Sequence, residues 1–418
     1  MELSTTVYSQ TYPSRVSDLA LSGSIITGLF GFAKRSFGAT MFQEYPDIVM
    51  NWVLPAFAFA IGSSIGSFLN VVIYRIPNGL SVNEPKRSFC PNCETQIPMR
   101  YNIPLITWLW LRGKCKWCKE PIAFRYFMVE LLTGILFLAI WKHAIDDVGL
   151  FDVVALWVLA SLLISATFID FDHFIIPDSI TIGGTVVGII ASFAIPVLHD
   201  QLIWWKGGVQ GVIGAAVGFG LIWMVVLLGK LAFGKIKHEF DEPTEFSISQ
   251  PGGEEEPIII KLGEHEYEWG EVFFRKWDRL QMDVKELQFD DREQEFESFT
   301  VLGEGFELDG KPVDIESVKK VSGKISSAVV PREAMGFGDV KFVAMIGAFL
   351  GWQSTIFVLF AASIVGAIIG LVQKFVVREE WARPLPFGPY LALGAFLWIF
   401  TGPAIWVWYV GILRGALK

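Results

Sequence analysis

Two groups of residues in this chain have the types and spacing for chemistry. Asp339 stands in "MGFGDVKF", residues 335–342, between a glycine pair and Lys341 and directly before a long apolar run. A carboxylate at the centre of a membrane helix costs roughly 2.5 to 3.5 kcal/mol on insertion scales, so an acid at the hydrocarbon edge is read as functional by default. It needs a partner. The stretch "ATFIDFDHFIIPD", residues 166–178, closes another apolar run and offers Asp170, Asp172 and Asp178. The second group is the cysteines. All four lie in "CPNCETQIPMRYNIPLITWLWLRGKCKWC", as two CxxC pairs, Cys90 with Cys93 and Cys115 with Cys118, separated by 21 residues. That is close to the spacing of a tetrathiolate zinc site, in which four sulfurs close a tetrahedron and leave no open position. Such a metal is structural rather than a Lewis acid. The competing readings are two disulfides or free thiols, and a reducing compartment disfavours the disulfides.

The elements that must position these groups are membrane helices. Of 418 residues, 52% are apolar and 18% charged, with 16 Trp and 35 Phe and a mean hydropathy of +0.46. Apolar runs fall at about 49–74, 124–143, 148–169, 179–199, 208–233, 337–352, 354–377 and 387–414. At 1.5 Å per residue each approaches the roughly 30 Å of a hydrocarbon core. The expected fold is therefore a polytopic α-helical membrane protein of about eight transmembrane helices. The loop 75–123 carries Arg75, Lys86, Arg87, Arg100, Arg112, Lys114, Lys116 and Lys119, whereas "HAIDDVGLFD" and "LHDQLIWWKG" carry almost no basic residues. By the positive-inside rule the cysteine loop is cytoplasmic, and alternation from there brings Asp170 and Asp339 to the same cytoplasmic face.

Six segments follow. Residues 1–48 are an extracytoplasmic or interfacial segment, 49–74 the first helix, and 75–123 the cytoplasmic zinc loop. Residues 124–233 hold helices two to five, 234–333 a cytoplasmic β-rich insertion, and 334–418 the last three helices. The start of the chain lacks the basic region and apolar core of a signal peptide. The net charge of −9 belongs to one place: 24 of the 43 Asp and Glu lie between Glu239 and Glu316. No nucleic-acid partner is expected. In the insertion, "EFSISQ", "PIIIKL", "YEWGEVFF", "MDVKELQF" and "FESFTVL" alternate as strands between turn signals, which predicts five to seven antiparallel strands. Its plain reading is a solvated accessory module.

Taken together, "GSFLNVVIYRIP" at 66–77, the "CPNC…LRGKCKWC" loop, "RYFMVELLTG" at 125–134, "IDFDHFIIPD" at 169–178, "GFGDVKF" at 336–342 and "PFGPYLALGA" at 386–395 resemble the type IV prepilin peptidase family, in the family's order. The resemblance implies a bifunctional leader peptidase and N-methyltransferase of the GxGD aspartic type. It places the catalytic pair on Asp170 and Asp339, and the methyl-transfer positions of the cysteine loop on Gly113 and Lys114. It implies S-adenosylmethionine as methyl donor, and type IV prepilins or pseudopilins, cut after Gly behind a short basic leader, as substrates. The location is then a bacterial inner membrane, with the active site on the cytoplasmic side. The β insertion is absent from compact members and interrupts no motif.

Peptide hydrolysis by two aspartates requires one ionised carboxylate to take a proton from water while its protonated partner hydrogen-bonds the scissile carbonyl. The pair titrates as a unit, so neither acid has a fixed role. Gly336 and Gly338 would let substrate backbone approach Asp339. Asp172 and Asp178 remain rivals for Asp170, with Asp178 alternatively capping the fourth helix. Glu130 is read either as a structural pair with Arg125 or a neighbouring helix, or as a part of methyl transfer. His173 is read as solvated. The competing functions are a GxGD protease without methylation, which would not need the cysteine loop, and a transporter or scaffold, which would show internal repeats.

Overall fold

The computed structural model describes residues 48–418 except 86, 91, 146–148, 234, 250–257, 274–278, 291, 294–295, 297–298, 304, 315–319, 332–335, 378–385 and 417–418. The expected extracytoplasmic or interfacial segment thus lies almost wholly outside the described residues. Two compact units divide the chain at Ala58. The described part of the first holds the π-helical turn Val49–Val53 and the first residues of α1. The second, Phe59–Lys418, holds everything else.

Among the described residues, apolar helices occupy the eight runs: α1 (Leu54–Arg75), α2 (Phe124–Ala144), α3 (Leu150–His173), α4 (Asp178–Ala194), α5 (Trp204–Phe233), α6 (Phe337–Leu350), α7 (Trp352–Val377) and α8 (Gly388–Ala416). Six are long and apolar enough to cross a membrane. The other two, α4 with 17 residues and α6 with 14, are shorter. For α6 the reason is its place in the bundle. Ten of its 14 residues are buried, and it packs against α4, α5 and α7. A helix apolar all round is one enclosed by other helices.

Small residues allow that enclosure. Without a hydrophobic drive between helices in lipid, close backbone approach supplies the packing. On α5, Gly214 faces the Gly347 carbonyl of α6, and Gly218 faces the Val343 carbonyl, which a Cβ would meet at 2.6 Å. Gly347 in turn faces the Gly214 carbonyl. Leucine in place of Gly347 is expected to destabilise the protein by about 1–3 kcal/mol or more, as overpacking does. A lowered thermal midpoint in detergent checks this; an unchanged midpoint means that α6 is not pinned here.

Between α5 and α6 the described residues form β1 (Lys235–Ser249), β2 (Ile259–Leu262), β3 (His265–Glu268), β4 (Arg279–Phe289), β5 (Arg292–Glu293), β6 (Phe299–Leu302), β7 (Gly305–Leu308), β8 (Lys311–Asp314) and β9 (Lys320–Pro331). They make one nine-stranded antiparallel sheet in the order β3-β2-β1-β9-β4-β6-β7-β8, with β5 paired to β4. Its core is built on Phe246, Ile260, Leu262, Leu287, Val301 and Phe306. Nine strands exceed the five to seven expected. "KVSGKISSAVVP" carries no strong alternation, yet as β9 it is paired on both sides, by β1 and β4. The turn signal "EGFELDGK" falls largely within the β7–β8 hairpin. Conversely, "YEWGEVFF" splits into β3 and a four-residue helix, Trp269–Val272. Lys235 of β1 pairs with Pro331 of β9, so the insertion leaves and returns at one place. Its first and last strands are neighbours.

Candidate active site

Asp170 lies in the last turn of α3. Phe174 ends that helix in the left-handed conformation, with φ of 54°, its N–H donating to the Asp170 carbonyl at 3.0 Å. Pro177, with ψ of 142°, then starts α4. The short return leaves Ile176 buried behind the carboxyl group. Asp170 itself is 5% exposed, and its Oδ2 accepts the Gly388 N–H at 2.9 Å. Gly388 is the first residue of α8, where N–H groups have no intrahelical acceptor. A carboxylate from another helix takes that place.

Asp339 lies in the first turn of α6 and is 8% exposed. The topology brings it within electrostatic range of Asp170, 169 positions earlier in the chain. Both acids are wrapped by glycines. A Cβ on Gly388 would stand 2.6 Å from Asp170 Oδ2 and 3.0 Å from Ile176 Cδ1, and a Cβ on Gly338 would stand 3.3 Å from Ile176 Cβ. Ile176 is the wedge between the starts of α6 and α8. Gly336 is different: among the described residues its Cβ would meet only Asp339 Oδ2, at 3.7 Å.

The neighbouring acids have other partners. Asp172 pairs with Arg125, half-exposed. Asp178 does not cap α4, because extended Pro177 occupies the capping position; it lies in the first turn and pairs with Lys341 at 2.5 Å. Among the described residues, Asp170 and Asp339 form no ion pair. A cation beside either would favour the charged form of both carboxylates. His173 is exposed.

The cysteine loop is built from two matching knuckles. In the first, Cys90 N–H donates to the Thr95 carbonyl and Glu94 N–H returns to the Cys90 carbonyl, at 3.1 and 2.8 Å. In the second, Cys115 and Lys119 repeat the pattern with Glu120, at 2.8 and 3.1 Å. Glu94 and Lys119 share a positive φ, 52° and 63°, four residues after the leading cysteine. The four Sγ atoms lie within 4.8 Å of one another, and Cys90 Sγ stands 3.8 Å from Cys118 Sγ. Sulfurs about 2.3 Å from a tetrahedral zinc are about 3.8 Å apart. The cluster therefore fits a metal ion. Thr95 hydrogen bonds hold the Cys93 thiol well below its usual range, at about 6.

The two methyl-transfer positions separate. Gly113 is buried with φ of +68°, and a Cβ there would stand 2.8 Å from Trp108 Cζ2. Lys114 is exposed. Glu130 does not pair with Arg125; its Oε2 accepts the Leu105 N–H at 2.7 Å. Ile176, Gly388 and Trp108 went unassigned in the sequence. Gly388 sat in a recognised stretch, "PFGPYLALGA", but its contact with Asp170 is a tertiary one.

Residues 60–144 match the Bacterial Peptidase A24 N-terminal domain, and residues 157–238 and 312–371 match the Type IV leader peptidase family. The interruption coincides with most of the inserted sheet. A prepilin leader peptidase/N-methyltransferase of Myxococcus xanthus is 30% identical, over 84% of this chain and 74% of its own. Proteins of the same name from Aeromonas hydrophila and Stutzerimonas stutzeri are each 27% identical, over 86% and 85% of this chain and 94% of theirs. No solved structure matches. The fold and the matched domains define a membrane-embedded peptidase. The chain belongs to the type IV leader peptidase family.

Proposed function

We propose that the chain removes the basic leader of type IV prepilins or pseudopilins, cutting after Gly with Asp170 and Asp339 as the carboxyl pair, and then methylates the new N-terminal amine. The observation that carries this reading is two nearly buried acids, from helices distant in sequence, brought together with no ion pair to either among the described residues. One carboxylate takes a proton from water as the water attacks the scissile carbonyl, and the protonated partner hydrogen-bonds the carbonyl oxygen. The Gly388 N–H orients Asp170 for either role. A substrate whose apolar helix lies in the bilayer presents its cleavage site at this depth.

In this reading all eight helices belong to the membrane domain of a bacterial inner-membrane protein, with the pair and the cysteine loop on the cytoplasmic side. The basic residues of loop 75–123 support that orientation. Cys90, Cys93, Cys115 and Cys118 hold a structural Zn(2+), and S-adenosylmethionine is the methyl donor. Purified protein is expected to contain about one zinc per chain by elemental analysis, falling to background in Cys115→Ser, because a closed structural site needs four ligands. Full zinc in that variant would refute the tetrathiolate assignment. Leader removal by the wild type and by Asp170→Asn tests the peptidase reading itself.

A further inference from the structure

A cavity of about 430 Å³ opens between the cysteine loop and the adjoining ends of α1 and α2. Small-molecule sites occupy roughly 300–1,000 Å³ and are lined by apolar and aromatic groups with a few placed polar ones. Tyr74, Trp108, Tyr126 and Phe127 form aromatic walls here, with Asn70 and Glu130 among the polar groups. We propose that this cavity is the methyl-donor site, taking S-adenosylmethionine with Glu130 facing the sulfonium and the Trp108 and Tyr126 rings beside it. The proposal rests on the methyl-transfer half of the function proposed above.

The charge of the cavity carries the argument. Glu130 is a partly buried acid within a membrane helix, and among the described residues no cation pairs with it. Its Oε2 accepts the Leu105 N–H, and the Ser67 side chain hydrogen-bonds the same carboxyl group. Among the described residues, Arg75 and Lys116 are the basic side chains that line the same cavity, and both are engaged elsewhere. Arg75 Nη1 donates to the carbonyls of Ser81, Val82 and Pro85, at 3.1, 2.9 and 3.0 Å. Lys116 lies 3.8 Å from the Tyr101 ring centre and bonds its hydroxyl. An acid so placed is costly unless something positive arrives to face it. A sulfonium supplies that charge, and aromatic faces attract cations that have lost their water.

Gly113 now acquires a physical role. It permits Trp108 to lie against its α-carbon, while Trp108 Nε1 donates to the Ile122 carbonyl at 3.3 Å. Gly113 is therefore a positioning residue acting through Trp108, and it does not line the cavity. Nor does Lys114. When bound, the donor supplies the methyl group: the N–C bond forms as the C–S bond breaks, the bonding pair stays on sulfur as a neutral thioether, and the amine proton passes to solvent.

The test is calorimetric titration of the full chain in detergent with S-adenosylmethionine and with S-adenosylhomocysteine, whose sulfur is uncharged. Glu130→Gln keeps an acceptor for Leu105 but removes the charge. It is expected to weaken S-adenosylmethionine binding about tenfold or more and to change S-adenosylhomocysteine binding much less, as befits loss of a desolvated cation contact. Val71→Trp puts an indole into the cavity wall and is expected to weaken both ligands at least about tenfold, since it takes up space the ligand needs. Wild-type affinity in both variants overturns the cavity assignment and leaves methyl transfer standing. Failure of the wild type itself to bind S-adenosylmethionine, with cleaved acceptor peptide present, overturns both.

Discussion

Asparagine in place of Asp339 is expected to lower leader removal by about 10²- to 10⁴-fold, the contribution of a positioned acid or base. Asp170→Asn should do the same, and the double variant should lose little more, because two groups that act as one unit are not additive. The contrast lies in the neighbours. Asp172→Asn and Asp178→Asn remove carboxylates that pair with Arg125 and Lys341 at partly exposed positions. Pairs of that kind are worth about 0–1 kcal/mol, so both variants should keep rates within about fivefold of the wild type. Initial rates of leader removal from a prepilin substrate in detergent, at equal amounts of folded enzyme, decide the matter. Comparable losses at Asp172 would move the pair away from Asp170.

The second large effect is expected at Gly388. Alanine there would place a Cβ 2.6 Å from Asp170 Oδ2 and 3.0 Å from Ile176 Cδ1, so either the carboxylate or the start of α8 must move. A displacement near 1 Å costs about 10²-fold in a reaction that depends on alignment. Gly388→Ala is therefore expected to lose about 100-fold in cleavage rate while its thermal midpoint changes little. A graded series follows from the spacing. Gly338→Ala, 3.3 Å from Ile176 Cβ, should lose less, and Gly336→Ala, with nothing nearer than 3.7 Å among the described residues, least of all. Equal losses at all three positions would mean that the glycines serve the substrate's approach and not the placement of Asp170.

Much of this was legible in the sequence because membrane helices and CxxC pairs are local signals. The eight apolar runs coincide with α1 to α8, six of which are long and apolar enough to cross a membrane. That Asp170, at the C-terminal end of α3, comes near Asp339, at the N-terminal end of α6, was expected from the alternation of helices between two membrane faces. What stayed hidden depends on contacts across the chain. Gly388 N–H to Asp170, Ile176 between two helix starts, and Gly214 against Gly347 are tertiary approaches of backbone, which leave no periodicity to read. Arg125 had two acids within plausible reach, and only the packing of α2 against α3 gives it to Asp172. The inserted sheet shows the same limit. β2 alternates cleanly, with Ile260 and Leu262 inward, whereas β9 is a strand because β1 and β4 flank it. The adjacency of Lys235 and Pro331 explains why so large an insertion leaves Asp339 in place.

The most direct test is the intact mass of a prepilin co-expressed with the wild type, Asp170→Asn or Asp339→Asn, with each enzyme quantified in the membrane. The account predicts a substrate cut after Gly and heavier by one methyl group with the wild type, and a substrate that keeps its leader with either variant. A cut substrate in the presence of both variants would contradict it, and would place the peptidase chemistry on residues other than Asp170 and Asp339.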